Sequence, residues 1–340
     1  MKKLTLSVVD QSPIHAGRSP SAALQDSIEL AQICDQLGYE RYWLAEHHDT
    51  PSYACPCPEV LIGQIAARTS RIRVGSGGVM LNHYSPYKVA ETFRMLEALY
   101  PGRINLGIGR APGGSHLPSR ALANNTSDGG ADSYPHKVRD LSEMLSDSLA
   151  PENPLHNLKV MPYGVSSPEI WTLGSSDGSI DLAAYFGLGF VLALFIGTHE
   201  RPKSIIENYR NNFRPQKNGP LLKPQAIIAS AVICADSKEE AKFIAASHTY
   251  WKVMAFRHGI REPILPPEEA MNRYPQLSSS DQSYFDETLN SMVCGTGEQC
   301  REELESLSDY YNVDEVMVVN VTYDFEDRKK SYRKLAEAII

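Results

Sequence analysis

No run of 18 apolar residues occurs in this chain, so a membrane-spanning helix is not expected. Basic residues are not in excess. The 33 Lys and Arg stand against 41 Asp and Glu, a formal net charge of -8, which argues against a nucleic-acid partner. Cysteine is sparse, six in 340 residues, which points to reduced thiols in a cytoplasmic setting rather than a disulfide framework. Cys55-Pro-Cys57 is too tight for the usual two-residue metal or redox spacing and has no second pair, so no metal site is expected. Glu46 and Asp49 flank a pair of histidines, but the two opposed acids that glycoside hydrolysis would need do not stand out. The loop after the first apolar stretch, 10–18, holds only Gly17, which is not a dinucleotide fingerprint. That stretch, 4–9, is too short for a signal peptide and runs into Asp10; it is expected to be a first strand.

What the chain does have is 42% hydrophobic residues, enough for a full core, and a regular rhythm. Short apolar stretches predict strands over 4–9, 42–45, 72–76, 103–110, 169–173, 190–194, 226–234 and 315–320. Helical spacing predicts helices over 21–37, 58–69, 86–100, 136–149, 179–186, 201–213, 238–256, from 296 onward, and over 327–340. A small extra strand is expected at 158–161. Strand-helix units of this length imply parallel strands with right-handed crossovers. The fold class expected is therefore α/β, a (β/α)8 TIM barrel formed by one domain over 1–340. A doubly wound open sheet is the competitor. Two stretches break the rhythm, 111–133 and 257–293, and both are expected to be loop insertions at or near the mouth of the barrel.

In such a barrel, function gathers at the C-terminal ends of the strands. The stretch Arg103-Ile-Asn-Leu-Gly-Ile-Gly-Arg110 delivers an arginine to a strand tip, where its fork of donors suits a phosphate or carboxylate. Gly174-Ser-Ser-Asp-Gly178 leads into a helix starting near Ser179; hydroxyls and free N–H groups there make either an anion site or a plain cap. Gly77-Gly78 follows the third strand and leaves room for a close approach to the backbone. His47 and His48 are adjacent, so on extended chain only one readily faces the mouth, and as a metal pair they are poorly spaced. His47 either passes or orients a proton near neutral pH, or simply bonds to backbone.

Four stretches resemble the bacterial luciferase-like flavin monooxygenases: Trp43-Leu-Ala-Glu-His-His48, Val74-Gly-Ser-Gly-Gly78, Gly102-Arg-Ile-Asn-Leu-Gly-Ile-Gly-Arg110 and the region around Phe186-Gly-Leu-Gly189. Gly295-Thr-Gly-Glu-Gln299 and Val313-Asp-Glu-Val-Met317 also fit, and the match is strongest to single-type bacterial chains. The resemblance implies a barrel that binds reduced FMN from a separate NAD(P)H:flavin reductase. It further implies that the flavin reacts with O2 at C4a and that the hydroperoxide oxidises a small organic substrate. It assigns catalysis to His47. It assigns cofactor binding to Gly77 and Gly78, across a non-proline cis peptide, and to Arg110, Arg120 (in Ser119-Arg-Ala-Leu122), Ser176 and Ser179. Ser175 belongs to the same binding loop, where the family carries glutamate, and Gly109 stands where it carries cysteine. A homodimer through the helices at 58–69 and 86–100 is implied as well. The deazaflavin F420 as hydride carrier, and a flavin-binding paralogue without turnover, are the alternatives on this fold.

Overall fold

Strand β1 (Thr5–Asp10) shows why the chain reads as it does: its last five side chains are buried. A parallel strand covered on both faces has no solvent side to alternate with. The computed structural model describes residues 4–110, 114, 116–122, 133–174, 177–197, 201–216 and 218–340. Along them run α1 (Pro20–Leu37), β2 (Arg41–Leu44), α2 (Pro58–Ala66), β3 (Arg73–Met80), α3 (Pro86–Leu99), β4 (Ile104–Gly109), α4 (His116–Leu122) and α5 (Tyr134–Leu145). The second half continues with β5 (Glu169–Gly174), α6 (Asp177–Tyr185), β6 (Gly189–Ala193), α7 (Ser204–Asn212), β7 (Ala226–Cys234) and α8 (Lys238–Arg257). It ends with α9 (Pro267–Arg273), α10 (Ser279–Asn290), β8 (Val293–Gly295), α11 (Gly297–Tyr311), β9 (Glu315–Val319) and α12 (Phe325–Ile339).

All strand pairings among these elements are parallel, in the order β6-β5-β4-β3-β2-β1-β9-β7, and β6 pairs with β7 to close the ring. This is the expected (β/α)8 barrel. β8 lies outside the ring, paired only with the C-terminal part of β7 through Val232↔Val293 and Cys234↔Gly295. The core has two layers. Val9, Trp43, Trp171, Val191, Ile227 and Met317 fill the barrel interior, and a larger apolar shell joins the strands to the helices.

Local chemistry sets the element ends. Ser19 caps α1 through its hydroxyl, with Pro20 at the first helical position, and Gly38 ends the helix in the left-handed region at φ 91°. Thr296 and Gln299 form a reciprocal capping box at the start of α11.

Besides the additional strand β8, the structure departs from the sequence-based expectations in four places. Residues 158–161 form no strand. The proline-rich stretch 258–290 is largely helical, in α9 and α10, because each proline that precedes a helix sits where a missing N–H costs nothing. Helix α4 lies inside the stretch expected to be loop. β3 runs on through Gly77 and Gly78 to Met80, with its register against β4 shifted between Ser76 and Val79.

Candidate active site at the barrel mouth

The C-terminal ends of β1 and β2 meet through a buried polar network. Asp10 and Arg328 of α12 are both fully buried and pair at 2.5 Å. Burial alone would raise the Asp10 carboxyl, but Arg328 and hydrogen bonds from Ser27 and Tyr42 outweigh it and hold it below the usual range. The Ser12 N–H also donates to Asp10, at 2.7 Å, which fixes the turn that presents Gln11. Gln11 Oε1 then accepts from His47 Nε2 at 2.8 Å. With that proton on Nε2, Nδ1 keeps its lone pair. His47 is partly exposed, its N–H donates to the Cys55 carbonyl at 2.9 Å, and its ring lies 4.5 Å from that of Tyr53. Burial, then the charges of His48 and Arg261, push its pKa down to about 4, so it is neutral at physiological pH.

His48 points elsewhere, as expected for the next residue on extended chain. Its Nε2 donates to Glu46 Oε1 at 2.7 Å, and Glu46 also accepts from the Tyr84 hydroxyl at 2.7 Å and from the Met80 N–H at 3.0 Å. Glu46 therefore ties the end of β2 to the end of β3.

The Gly77-Gly78 peptide is cis. A Cβ on Gly78 would lie 2.8 Å from the backbone of Gly107, and one on Gly77 would lie 3.2 Å from Trp43 Cβ. Close packing of β3 on β4 thus already demands glycine at 78, and the approach of Trp43 leaves little room for a side chain at 77.

Arg110 follows β4 directly and is exposed, and its carbonyl accepts from Asn82 Nδ2 at 3.3 Å. Its Nη1 lies 3.9 Å from where a Cβ would stand on Gly178, in the first turn of α6. Tyr134 is buried near enough for the Arg110 charge to act on its hydroxyl, which has no hydrogen-bond partner among the described residues. Ser179 packs its side chain against Gly174 at the end of β5, where no side chain would fit. The structure thus places Arg110 beside the first turn of α6, the turn that carries Ser179. Arg120 is exposed on α4, and no described contact joins it to this group. Ser175 and Ser176 lie outside the described residues.

Sequence reasoning missed three parts of the mouth. Gln11 lies just past the first strand, where nothing in the sequence points to its partner. Tyr134 sits at a helix start with no motif around it. On α8, His248, Trp251 and Lys252 reach the rim: Trp251 Nε1 donates to Ser52 Oγ at 2.8 Å, and Lys252 Nζ donates to the carbonyl of Phe195, just after β6, at 2.8 Å. Their spacing was the only available signal, and a helix face of that kind reads as ordinary packing.

A family model described as luciferase-like monooxygenase matches residues 4–311. Uncharacterized protein YwcH of Bacillus subtilis is 44% identical over 338 residues, 98% of this chain and 99% of its own. The N-acetyl-S-alkylcysteine monooxygenase of the same organism is 34% identical over 337 residues, 99% and 98% of the two chains. The crystal structure of apo-MsnO8 superposes with a TM-score of 0.86 at 37% identity, covering 99% of this chain and 98% of that one. More distant solved structures share the fold. One is an FMN complex of the oxygenating constituent of 3,6-diketocamphane monooxygenase, at 16% identity and TM-score 0.71, covering 99% of this chain and 98% of that one. Another is an F420-dependent secondary alcohol dehydrogenase, at 13% identity and TM-score 0.67, covering 99% of both chains.

Proposed function

This chain belongs to the luciferase-like monooxygenase family, and on that premise we propose that it uses reduced FMN and O2 to oxidise a small organic substrate, thioethers being the class to try first. The observation that carries the choice of cofactor is the Arg110 corner. A guanidinium stands at the N-terminus of α6, beside Ser179 and a buried Tyr134 hydroxyl that lacks a partner among the described residues. An arginine fork, a helix N-terminus and a spare hydroxyl donor match the donor needs of a phosphate monoester. Arg120, Ser175 and Ser176 complete the phosphate contacts in this reading.

Bound reduced flavin supplies the two electrons that activate O2, so that one oxygen atom enters the substrate and the other leaves as water. Arg110 and Ser179 anchor the phosphate end. Gly77 and Gly78 keep the floor under the flavin ring free of side chains. His47, neutral and steered by Gln11, offers Nδ1 to accept a proton or a hydrogen bond at the reacting end. Tyr53 and Trp251, whose rings lie 5.0 Å apart, wall the site and help exclude water. A separate flavin reductase delivers the reduced cofactor.

The test is to combine the purified chain with FMN, a flavin reductase and isotopically labelled O2, and to follow a panel of S-alkyl thioethers by mass spectrometry. One labelled oxygen atom in the product is expected. Label found only in hydrogen peroxide, or turnover with reduced F420 and none with reduced FMN, overturns the reading.

The proposal extends to a homodimer through α2 and α3. Val60 on α2 is 67% exposed, and Met95 and Leu99 on α3 are each 58% exposed, an apolar surface on adjacent helices. Light scattering at the monomer mass would refute it.

A further inference from the structure

Among the described residues, the rim holds two cations without counter-ions. His248, Trp251 and Lys252 stand at i, i+3 and i+4 on α8 and share one face. That face is turned to the mouth: His248 Nε2 lies 3.3 Å from the Tyr53 hydroxyl, Trp251 reaches Ser52, and Lys252 reaches the Phe195 carbonyl. Lys252 is only 6% exposed, and among the described residues that carbonyl is its one hydrogen-bond partner. No carboxylate among the described residues pairs with it, and two of its three donors are unused. Pinning α8 to the end of β6 needs a single neutral donor, which glutamine would provide. The buried charge itself is left unexplained by packing. Burial lowers the ammonium to about 8, which leaves it mostly charged at neutral pH.

Arg261 is the second cation. It is partly buried, has no ion pair or hydrogen bond among the described residues, and lies close enough for its charge to act on His47. Between the two cations run His248, Tyr53 and His47. His248 Nδ1 is buried with no partner among the described residues, and burial and the Lys252 charge keep that ring neutral. The strip from Lys252 to Arg261 therefore presents positive charge and unused polar atoms beside the aromatic wall of the mouth.

We propose that Lys252, with Arg261 at the edge, is a subsite for an anionic oxygen group, and that it takes the carboxylate of an acidic substrate. The inference rests on reading the mouth as the substrate site. It deepens that reading by making the substrate an acid whose charged end is held on the α8 side, with its oxidisable end toward His47. The phosphate or the reduced ring of the cofactor is the other source of the same chemistry, and the two are separable.

The experiment is calorimetric titration of the full chain, without flavin, with N-acetyl-S-methylcysteine and with the amide of the same compound. The acid is expected to bind roughly tenfold tighter than the amide, as one desolvated charge pair would give. That preference should fall to about twofold or less in Lys252→Gln, shrink in Arg261→Gln and largely survive in Lys252→Arg, while reduced-FMN affinity stays within about twofold in all three. Equal binding of acid and amide to the unaltered chain overturns the proposal. So does no measurable binding of either, a preference that survives Lys252→Gln, or a loss of reduced-FMN affinity in its place. Because the comparison of acid with amide needs neither flavin nor turnover, failure of the oxygenation assay would leave that comparison standing. Arg261→Gln, at the partly exposed edge, serves if Lys252→Gln does not fold.

Discussion

The two ends of the barrel are both rich in ionisable side chains and use them in opposite ways. At the N-terminal end, Arg41 is buried and donates to Asn105 at 2.8 Å, to Glu169 at 3.0 Å and to Glu315 at 3.0 Å. Arg73 closes on Glu169 at 2.7 Å, Ser7 donates to Glu315 at 2.5 Å, and the two interior tryptophans donate to Asn105 and Glu169 at 3.2 Å each. Both carboxylates there meet a cation. Burial raises Glu169, but Arg41 and Arg73 outweigh it; in the deeper Glu315 burial wins and the carboxyl stays above its usual range. At the C-terminal end, Asp10 and Arg328 pair with each other, yet among the described residues Lys252 and Arg261 meet no carboxylate, and Tyr134 and His248 keep unpartnered polar atoms. A plug that saturates its own charges can only hold the fold together. A rim that leaves donors unused is arranged for something that arrives from outside.

This contrast can be broken by mutation. Arg41→Ala strands Glu315 and half of the Glu169 network in the interior, and should cost about 3–5 kcal/mol by urea denaturation. A loss below about 1 kcal/mol would mean that the floor is not holding the barrel. At the mouth, His47→Ala should lower substrate oxygenation about a hundredfold, with label diverted to hydrogen peroxide, while the denaturation midpoint barely moves. An unchanged product yield would remove His47 from the chemistry.

Arg110→Ala should weaken reduced-FMN binding by about 1.5–3 kcal/mol in anaerobic titration, with stability within about 0.5 kcal/mol of the unaltered chain. A fold-stability loss larger than the binding loss would make Arg110 a structural residue. As a control away from both ends, Thr296→Ala should cost about 1 kcal/mol of stability through the lost cap and leave flavin binding and turnover alone.

Acid sharpens the same comparison. His47 has a pKa of about 4 in the folded chain, below the roughly 6.5 of an unfolded histidine. The unfolded chain therefore takes up this proton first as pH drops. The stability this group contributes is complete above about pH 6.5 and is lost on the way down to about 4, with a slope of up to about 1.4 kcal/mol per pH unit. His15, lowered to about 4 chiefly by burial, adds a parallel contribution. His47→Gln should flatten the slope by one histidine's share. An unaltered slope would mean that His47 ionises freely in the folded chain.

Much of this was legible in the chain itself. Mostly apolar barrel strands of four to nine residues, spaced by helices with proline starts and glycine stops, dictate parallel pairing and the barrel. The short range of these signals is why they survive in the sequence: a cap or a turn is decided by residues a few positions apart. For the same reason, Arg110, His47 and Ser179 could be placed on the rim, since each lies within a few residues of a strand end. The mouth's partners could not be read. Gln11 meets His47 across 36 positions, Arg328 meets Asp10 across 318, and Lys252 reaches the carbonyl of Phe195 across 57. Whether a lysine in the middle of a helix lies in water or is buried without a counter-ion depends on what packs against it. The glycines at 77 and 78 carry the same lesson, because only the approach of β4 and Trp43 shows what a side chain there would meet. The sequence by itself determined the barrel and the strand ends at which chemistry was to be sought. Only the tertiary structure decided which charges on that rim are already matched and which remain for a ligand, because burial and pairing are properties of contacts between segments far apart in the chain.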